Sequence, residues 1–225
     1  MKNIIYIISL LVVPINCLAA KATVVWYTEQ ETGTEPEAVR YIVTERFMRS
    51  DNGDSKQGFV LLDRKQKKIF NVVPDSQSIM LIDGNGRLPV APELFAIKES
   101  KKVDSTAPKI DGKAVYEIQV SSAKQICYSA MVAPGLHDEV RQAMLEFKQV
   151  LAVRQSRTLE STPEEMRSDC FMIQYLYAPA LHLQHGLPVR EWEPNGKSRQ
   201  LVDFKFMPID DSLFDLPAGF RQYSP

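Results

Sequence analysis

Apolar and polar positions alternate with a period of two over much of the chain. From Arg40 to Met48, Tyr41, Val43 and Phe47 fall on one side and Arg40, Thr44 and Arg46 on the other, the pattern of a strand with one wet face. Polar turns then separate further short apolar runs. Ser50 to Asp54 precedes Phe59 to Leu62, the charged tip Asp63 to Lys68 joins that run to Ile69 to Val73, and Pro74-Asp75-Ser76 leads into Ile79 to Ile82. This predicts an antiparallel meander, with the β-branched and aromatic run Thr23 to Thr28 as a strand before it.

Beyond Ile82 the turn Asp83-Gly84-Asn85-Gly86 and the prolines Pro89 and Pro92 interrupt regular structure, and Leu94 to Lys98 reads as one more strand. Ser105 to Pro108 is a loop. Tyr116, Ile118 and Val120 alternate with Val115, Glu117 and Gln119, and Ser121 to Lys124 reverses the chain into Ile126 to Val132, a second hairpin. After Pro134-Gly135 the period changes. Leu136, Val140, Met144, Phe147 and Leu151 recur every three or four residues, with Asp138, Glu139, Arg141, Glu146 and Lys148 on the other side, which predicts an amphipathic helix over 136–151. Thr162 as N-cap, Pro163 at the first position and Glu165 closing a capping box predict a second helix from Pro163 to about Leu176. Leu187 to Trp192 and Gln200 to Met207 form a closing hairpin, followed by a Pro-punctuated tail from Asp210 to Pro225. The expected fold class is therefore α+β: one domain over 23–225, an antiparallel sheet with two helices inserted before its last hairpin.

Several strands carry large side chains on both faces, as in Phe59-Val60-Leu61-Leu62, Ile79-Met80-Leu81-Ile82 and Phe204 with Phe206 and Met207. Such strands suit a sheet curled round a cavity or buried on both sides, and equally a plain core with helices on one face and a loop on the other.

Composition narrows the function classes. The 225 residues carry 27 basic and 28 acidic side chains, a formal charge of −1, so no global field recruits nucleic acid or an anionic membrane. Lys2, the apolar run Ile4 to Leu18 and the small residues Ala19, Ala20 and Ala22 form the pattern of a secretory signal peptide over 1–22, cleaved after Ala19, Ala20 or Ala22. Cys17 at the end of the apolar run makes a lipoprotein signal the second reading. Cleavage leaves Cys127 and Cys170, an even pair in an oxidising compartment, so a single bridge between them is expected; two small buried core residues are the alternative. The mature chain has no segment apolar enough to serve as a transmembrane anchor.

Candidate chemistry is sparse. His182 and His185 have the i, i+3 spacing of a helical metal pair but no third ligand nearby, so a solvent-facing pair is expected and no metal or other cofactor is implied. No nucleophile elbow, phosphate-binding glycine loop or zinc-protease helix is present, and the pairs Asp210-Asp211 and Glu164-Glu165 read as a turn and a helix start.

The export signal, the meander, the paired hairpins, the phrase Gly186-Leu187-Pro188-Val189 and above all Asp211-Ser212-Leu213-Phe214-Asp215-Leu216-Pro217-Ala218-Gly219-Phe220 resemble LolA/LolB-like periplasmic proteins. The resemblance implies a curved antiparallel half-barrel with two helices packed on its open face and an apolar cavity. Candidates to line that cavity are Phe59, Leu61, Met80, Ile82, Met144, Phe147, Leu151, Phe204 and Phe206. It further implies a non-enzymatic periplasmic protein that shelters an apolar ligand, such as a lipid or an acylated peptide, with a lipoprotein as partner. An envelope interaction or stress-sensor module without small ligand is the alternative, and a hydrolase built from scattered residues is the third class.

Overall fold

The computed structural model of the chain describes residues 20–54, 56–103 and 106–225. The signal reading of residues 1–19, including Cys17, therefore lies outside the described residues.

Two meanders meet along one seam. The first runs through β1 (Ala20–Gln30), β2 (Glu37–Val43), β3 (Phe47–Asp51), β4 (Phe59–Asp63), β5 (Lys68–Val73) and β6 (Ser78–Asp83), each strand antiparallel to the one before. The second runs through β7 (Lys98–Val103), β8 (Tyr116–Ser121), β9 (Ile126–Ala133), β10 (Leu187–Trp192) and β11 (Ser198–Ile209), again antiparallel throughout. β11 then pairs with β1 from Ala20↔Ile209 to Gln30↔Ser198, which fuses the two into a single sheet. β12 (Arg221–Tyr223) adds in parallel beside β6. The result is an open sheet of 12 strands, with β12 at one edge and β7 at the other. β7 is exposed along its whole length and carries Lys98, Lys101 and Lys102, charges that oppose edge-to-edge pairing with another chain.

Both faces are covered, which the two-sided apolar runs require. On one face α1 (Asp138–Thr158) lays Val140, Ala143, Met144 and Val150 against Val25, Val43, Leu62, Ile69 and Leu187. Strand alternation sends Leu61, Val24 and Ile42 to the other face, where the C-terminal segment closes over them. There Phe214 stacks on Phe47 with ring centroids 5.2 Å apart, and Arg49 Nη1 donates to the Leu213 carbonyl at 2.5 Å. The phrase Asp211 to Phe220 is thus a strap across the sheet, begun by Asp210 Oδ1 accepting from the Ser212 N–H at 2.9 Å.

Four expectations need correction. Leu94 to Lys98 is not a strand: Glu93–Phe95 forms a 3-10 turn ended by Ala96 in the left-handed region, and the strand, β7, begins only at Lys98. Arg40 to Met48 is not one strand: Thr44 to Arg46 is a turn, closed by the Thr44 N–H donating to the Phe47 carbonyl at 2.9 Å and the Phe47 N–H donating to Thr44 Oγ1 at 3.0 Å. Phe47 therefore faces away from Tyr41 and Val43. The second helix does not start at Pro163, whose ψ of 140° is extended. Arg167 donates to the carbonyls of Thr162 and Glu160 and ties that stretch into a loop. Ser168 is the N-cap instead, accepting from the Phe171 N–H at 3.3 Å, and α2 (Asp169–Met172) passes directly into a π-helical turn, Ile173–Tyr177. Finally, α1 continues past Leu151 to Thr158, because Ala152 and Val153 prolong its buried stripe.

Cys127 on β9 and Cys170 on α2 are joined, with Cα atoms 4.9 Å apart and a sequence separation of 43. A disulfide belongs to an oxidising compartment. Gly186 marks another close approach: a Cβ there would lie 2.6 Å from the Ala133 carbonyl carbon, so only glycine lets the chain enter β10 against β9.

Candidate functional site

The closing hairpin places two opposite charges across from each other, since Glu191 of β10 pairs in register with Arg199 of β11. Both side chains point to the α1 face and are mostly buried, 20% and 14% exposed. The Arg199 guanidinium bonds Glu191 Oε2 through both Nε and Nη2, a charge-assisted contact on one oxygen that leaves Oε1 free for another donor. Its plane also lies over the Tyr27 ring, 4.8 Å from the centroid, and Nη1 donates to Tyr41 Oη at 3.3 Å. Tyr41 Oη donates in turn to Glu29 Oε1 at 3.1 Å, and Tyr27 Oη donates to the Pro188 carbonyl at 2.7 Å. On the other side of Glu191, His182 Nε2 stands 2.6 Å from Oε1.

These contacts set the electrostatics. Burial alone would raise the Glu191 carboxyl, but Arg199 and His182 overcome it and hold the group well below the usual carboxylate range. Burial pushes the Tyr41 hydroxyl up to about 12 against the pull of Arg199, and pushes Tyr27 higher still. Lys148 of α1 is driven down, first by desolvation and then by the like charge of Arg199, with Glu191 pulling the other way. Lys148 has no ion pair among the described residues.

Beside this cluster is a cavity of about 220 Å³. Its apolar wall comes from Met48 of β3, Met144 and Phe147 of α1, Ala180 and Leu183. Its polar wall includes Tyr128, Lys148, Gln174, His182, Glu191 and Arg199, with Glu29 and Tyr41 alongside. The disulfide holds part of this wall in place: the π-helical turn that follows α2 carries Gln174, whose Nε2 donates to the Cys127 carbonyl at 2.9 Å, and Cys127 precedes Tyr128. Two polar side chains of the wall carry a buried atom without a hydrogen-bond partner among the described residues, Tyr128 through Oη and His182 through Nδ1, its Nε2 being turned to Glu191. They are 7% and 4% exposed.

Of the nine residues proposed from sequence, Met144 and Phe147 line the cavity. Met80, Ile82, Leu151 and Phe204 pack in the same α1-side core, Phe204 against the His137 ring at 4.6 Å. Phe59 and Leu61 lie on the opposite face under the C-terminal strap, and Phe206 is 67% exposed. The expected solvent-facing pair of histidines is not found: His182 is buried and turns to Glu191, while His185 Nε2 contacts Glu99 Oε1 at 2.5 Å. The sequence pattern does not reveal the cluster itself. Helical spacing puts Lys148 on the polar side of α1, although it sits one turn after Met144 and follows Phe147, both of which face the cavity. Because Phe147 faces a cavity and is only half-buried, Phe147→Ala should cost clearly less than the ~3–5 kcal/mol of a sealed core phenylalanine, as measured by urea unfolding.

No known protein-family profile matches the chain, and no curated protein matches it either. Solved structures resemble it in overall shape only. PNGF-II in its C2 crystal form aligns over 92% of this chain with 13% identity and a TM-score of 0.45, and in its P21 form with 11% identity and a TM-score of 0.44. The chain spans about a third of PNGF-II, 31% and 32% in the two forms. An uncharacterized conserved protein from Thermus thermophilus aligns over 92% of both chains with 8% identity and a TM-score of 0.46. Nothing about this chain's activity follows from these likenesses.

Proposed function

We propose that the chain is a non-enzymatic, exported binding protein of LolA/LolB-like half-barrel design, and that it shelters the apolar part of a ligand such as a lipid or an acylated peptide. The observation that carries this reading is the cavity between α1 and the sheet, with Met48, Met144, Phe147 and Leu183 on its apolar side. Small-molecule sites are concave and mostly apolar, with a few placed polar groups that fix orientation. Among the described residues no helix is long and apolar enough to cross a membrane, and the disulfide fits a periplasmic location.

The test is the material that accompanies the protein when it is purified from the periplasm. The reading predicts extractable lipid or an acylated peptide at about one equivalent per chain. Protein free of such material, which also fails to take up a fluorescent acyl probe, would favour an envelope interaction or sensor module instead.

Processing has its own expected outcome. Ala22 is buried and lies in the β1–β11 ladder, where Ala20, Lys21 and Ala22 pair with Ile209, Pro208 and Met207. Cleavage after Ala19 keeps this end of the ladder whole, whereas cleavage after Ala22 strips it. Intact-mass measurement of the exported protein should therefore give a chain beginning at Ala20. A diacylated Cys17 would establish the lipoprotein reading in its place.

A further inference from the structure

We infer that the polar lining of the cavity is a carboxylate site, in which Lys148 Nζ and Tyr128 Oη receive the head group of an amphiphile whose apolar chain lies against Met48, Met144 and Phe147. This rests on the binding-protein reading above and names the chemical class of its ligand.

The argument begins with which charges are already answered. Glu191 is saturated by Arg199 on one oxygen and His182 on the other, and Glu29 accepts from Tyr41. Arg199 spends its fork on Glu191 and its face on Tyr27. Lys197, at the rim, reaches Glu31 at 3.5 Å, and Glu193 accepts from Asn195 at 3.3 Å. Among the cations that line the cavity, Lys148 alone has no ion pair among the described residues. Its charged form is also desolvated and pressed by Arg199, a cost that a bound anion would relieve.

The second observation is independent of charge. Tyr128 Oη is buried in the cavity wall without an aligned partner. The backbone amides of His182 and Leu181 lie close enough to Tyr128 to pull its pKa down against burial, yet neither donates to it in line. Buried polar groups left unpaired are costly, so a native fold keeps them where a ligand or water completes them. The hydroxyl offers an O–H donor in the same cavity wall as one ammonium. One free cation with one neutral donor matches a singly charged carboxylate with two oxygens. A phosphate dianion would leave a buried negative charge unanswered.

The experiment uses delipidated mature protein, titrated with oleate, oleyl alcohol and butyrate, on the wild type and on Lys148→Met and Tyr128→Phe. Oleate should bind more tightly than oleyl alcohol by about tenfold or more, the range of one charge-assisted hydrogen bond. Lys148→Met should remove that preference by lowering the affinity for oleate about tenfold or more relative to oleyl alcohol. Tyr128→Phe should weaken oleate several-fold at unchanged melting temperature, because the hydroxyl it deletes holds nothing in the fold. Equal affinity for oleate and oleyl alcohol, or a preference that survives Lys148→Met, would overturn the carboxylate site and leave the binding-protein reading standing. Butyrate binding that depends on Lys148, with neither long-chain compound bound, would keep the site and remove the lipid reading. No binding of any of the three would overturn both.

Discussion

Glu191→Ala should destabilise the protein by about 3 kcal/mol, the low end for removing one partner of a buried ion pair. The loss arises because Arg199, 14% exposed, keeps its charge and loses the carboxylate on which its fork closes. The low end applies because Glu29, 3.8 Å away, and the Tyr27 ring still face the guanidinium. Urea unfolding at neutral pH measures this directly. The pH dependence has a definite sign. Glu191 titrates well below its ordinary value of 4.5 in the folded chain, so between those values the unfolded chain binds the proton more readily. Its contribution is complete above about pH 4.5 and is lost as pH falls toward the folded value. Glu191→Gln should accordingly flatten the acid limb of the stability curve, and the wild type and variant should converge as the solution is acidified. An acid limb of unchanged steepness would mean that other carboxylates dominate it, Asp51 between Arg40 and Arg49 being the first to consider.

Removing the disulfide has the other large expected effect. Opening a loop that spans 43 positions should cost about 3–4 kcal/mol by the chain-entropy estimate. For a chain of this size that lowers the melting temperature by roughly 10 °C. The Cys127→Ser, Cys170→Ser double variant should show it in a thermal scan, as should the reduced wild type. Function should suffer beyond stability, because the bridge fixes the segment that carries Gln174 and Tyr175 against the strand that carries Tyr128. Thiol labelling of unfolded, unreduced mature protein should find no free thiol; two would contradict the bridge.

Much of the fold is legible in the pattern of residues. The strands from Phe59 to Asp83, the Tyr116 to Ala133 hairpin and the closing hairpin follow their alternation, and α1 follows its three-and-four spacing. The losses have physical causes. A short turn inside Arg40 to Met48 keeps an apparent alternation while reversing the chain, so periodicity alone cannot see it. A capping-box sequence at Thr162 yields to a better cap at Ser168 once Arg167 has tied the intervening loop. β12 is three residues long and exposed, and exists because the β6 edge recruits it.

The site is harder to read because its charged members come from separate elements with no shared spacing. Glu29, Tyr41, Lys148, His182, Glu191 and Arg199 meet only when β1, β2, α1, the turn before β10 and the closing hairpin are assembled. One local signal is available. Glu191 and Arg199 each stand four residues from Asn195, so they pair across the strands only because the turn has three residues, Pro194 to Gly196; a two-residue Asn195-Gly196 turn would set Trp192 against Arg199. The apolar candidates are instead split by strand alternation, which sends Leu61 and Leu62 to opposite faces of the sheet.

The most direct test of a sheltered ligand site beneath α1 is to fill the cavity and measure binding. Met144 is 4% exposed and lines the cavity, so Met144→Trp places a larger side chain where the ligand's apolar part is proposed to lie. Titration of a fluorescent acyl probe should give one saturable site per chain in the wild type and at least about a tenfold loss in the variant. Thermal unfolding of both proteins checks that the variant remains folded. Equal affinity in wild type and folded variant would contradict the account, because the probe would then bind somewhere other than beneath α1.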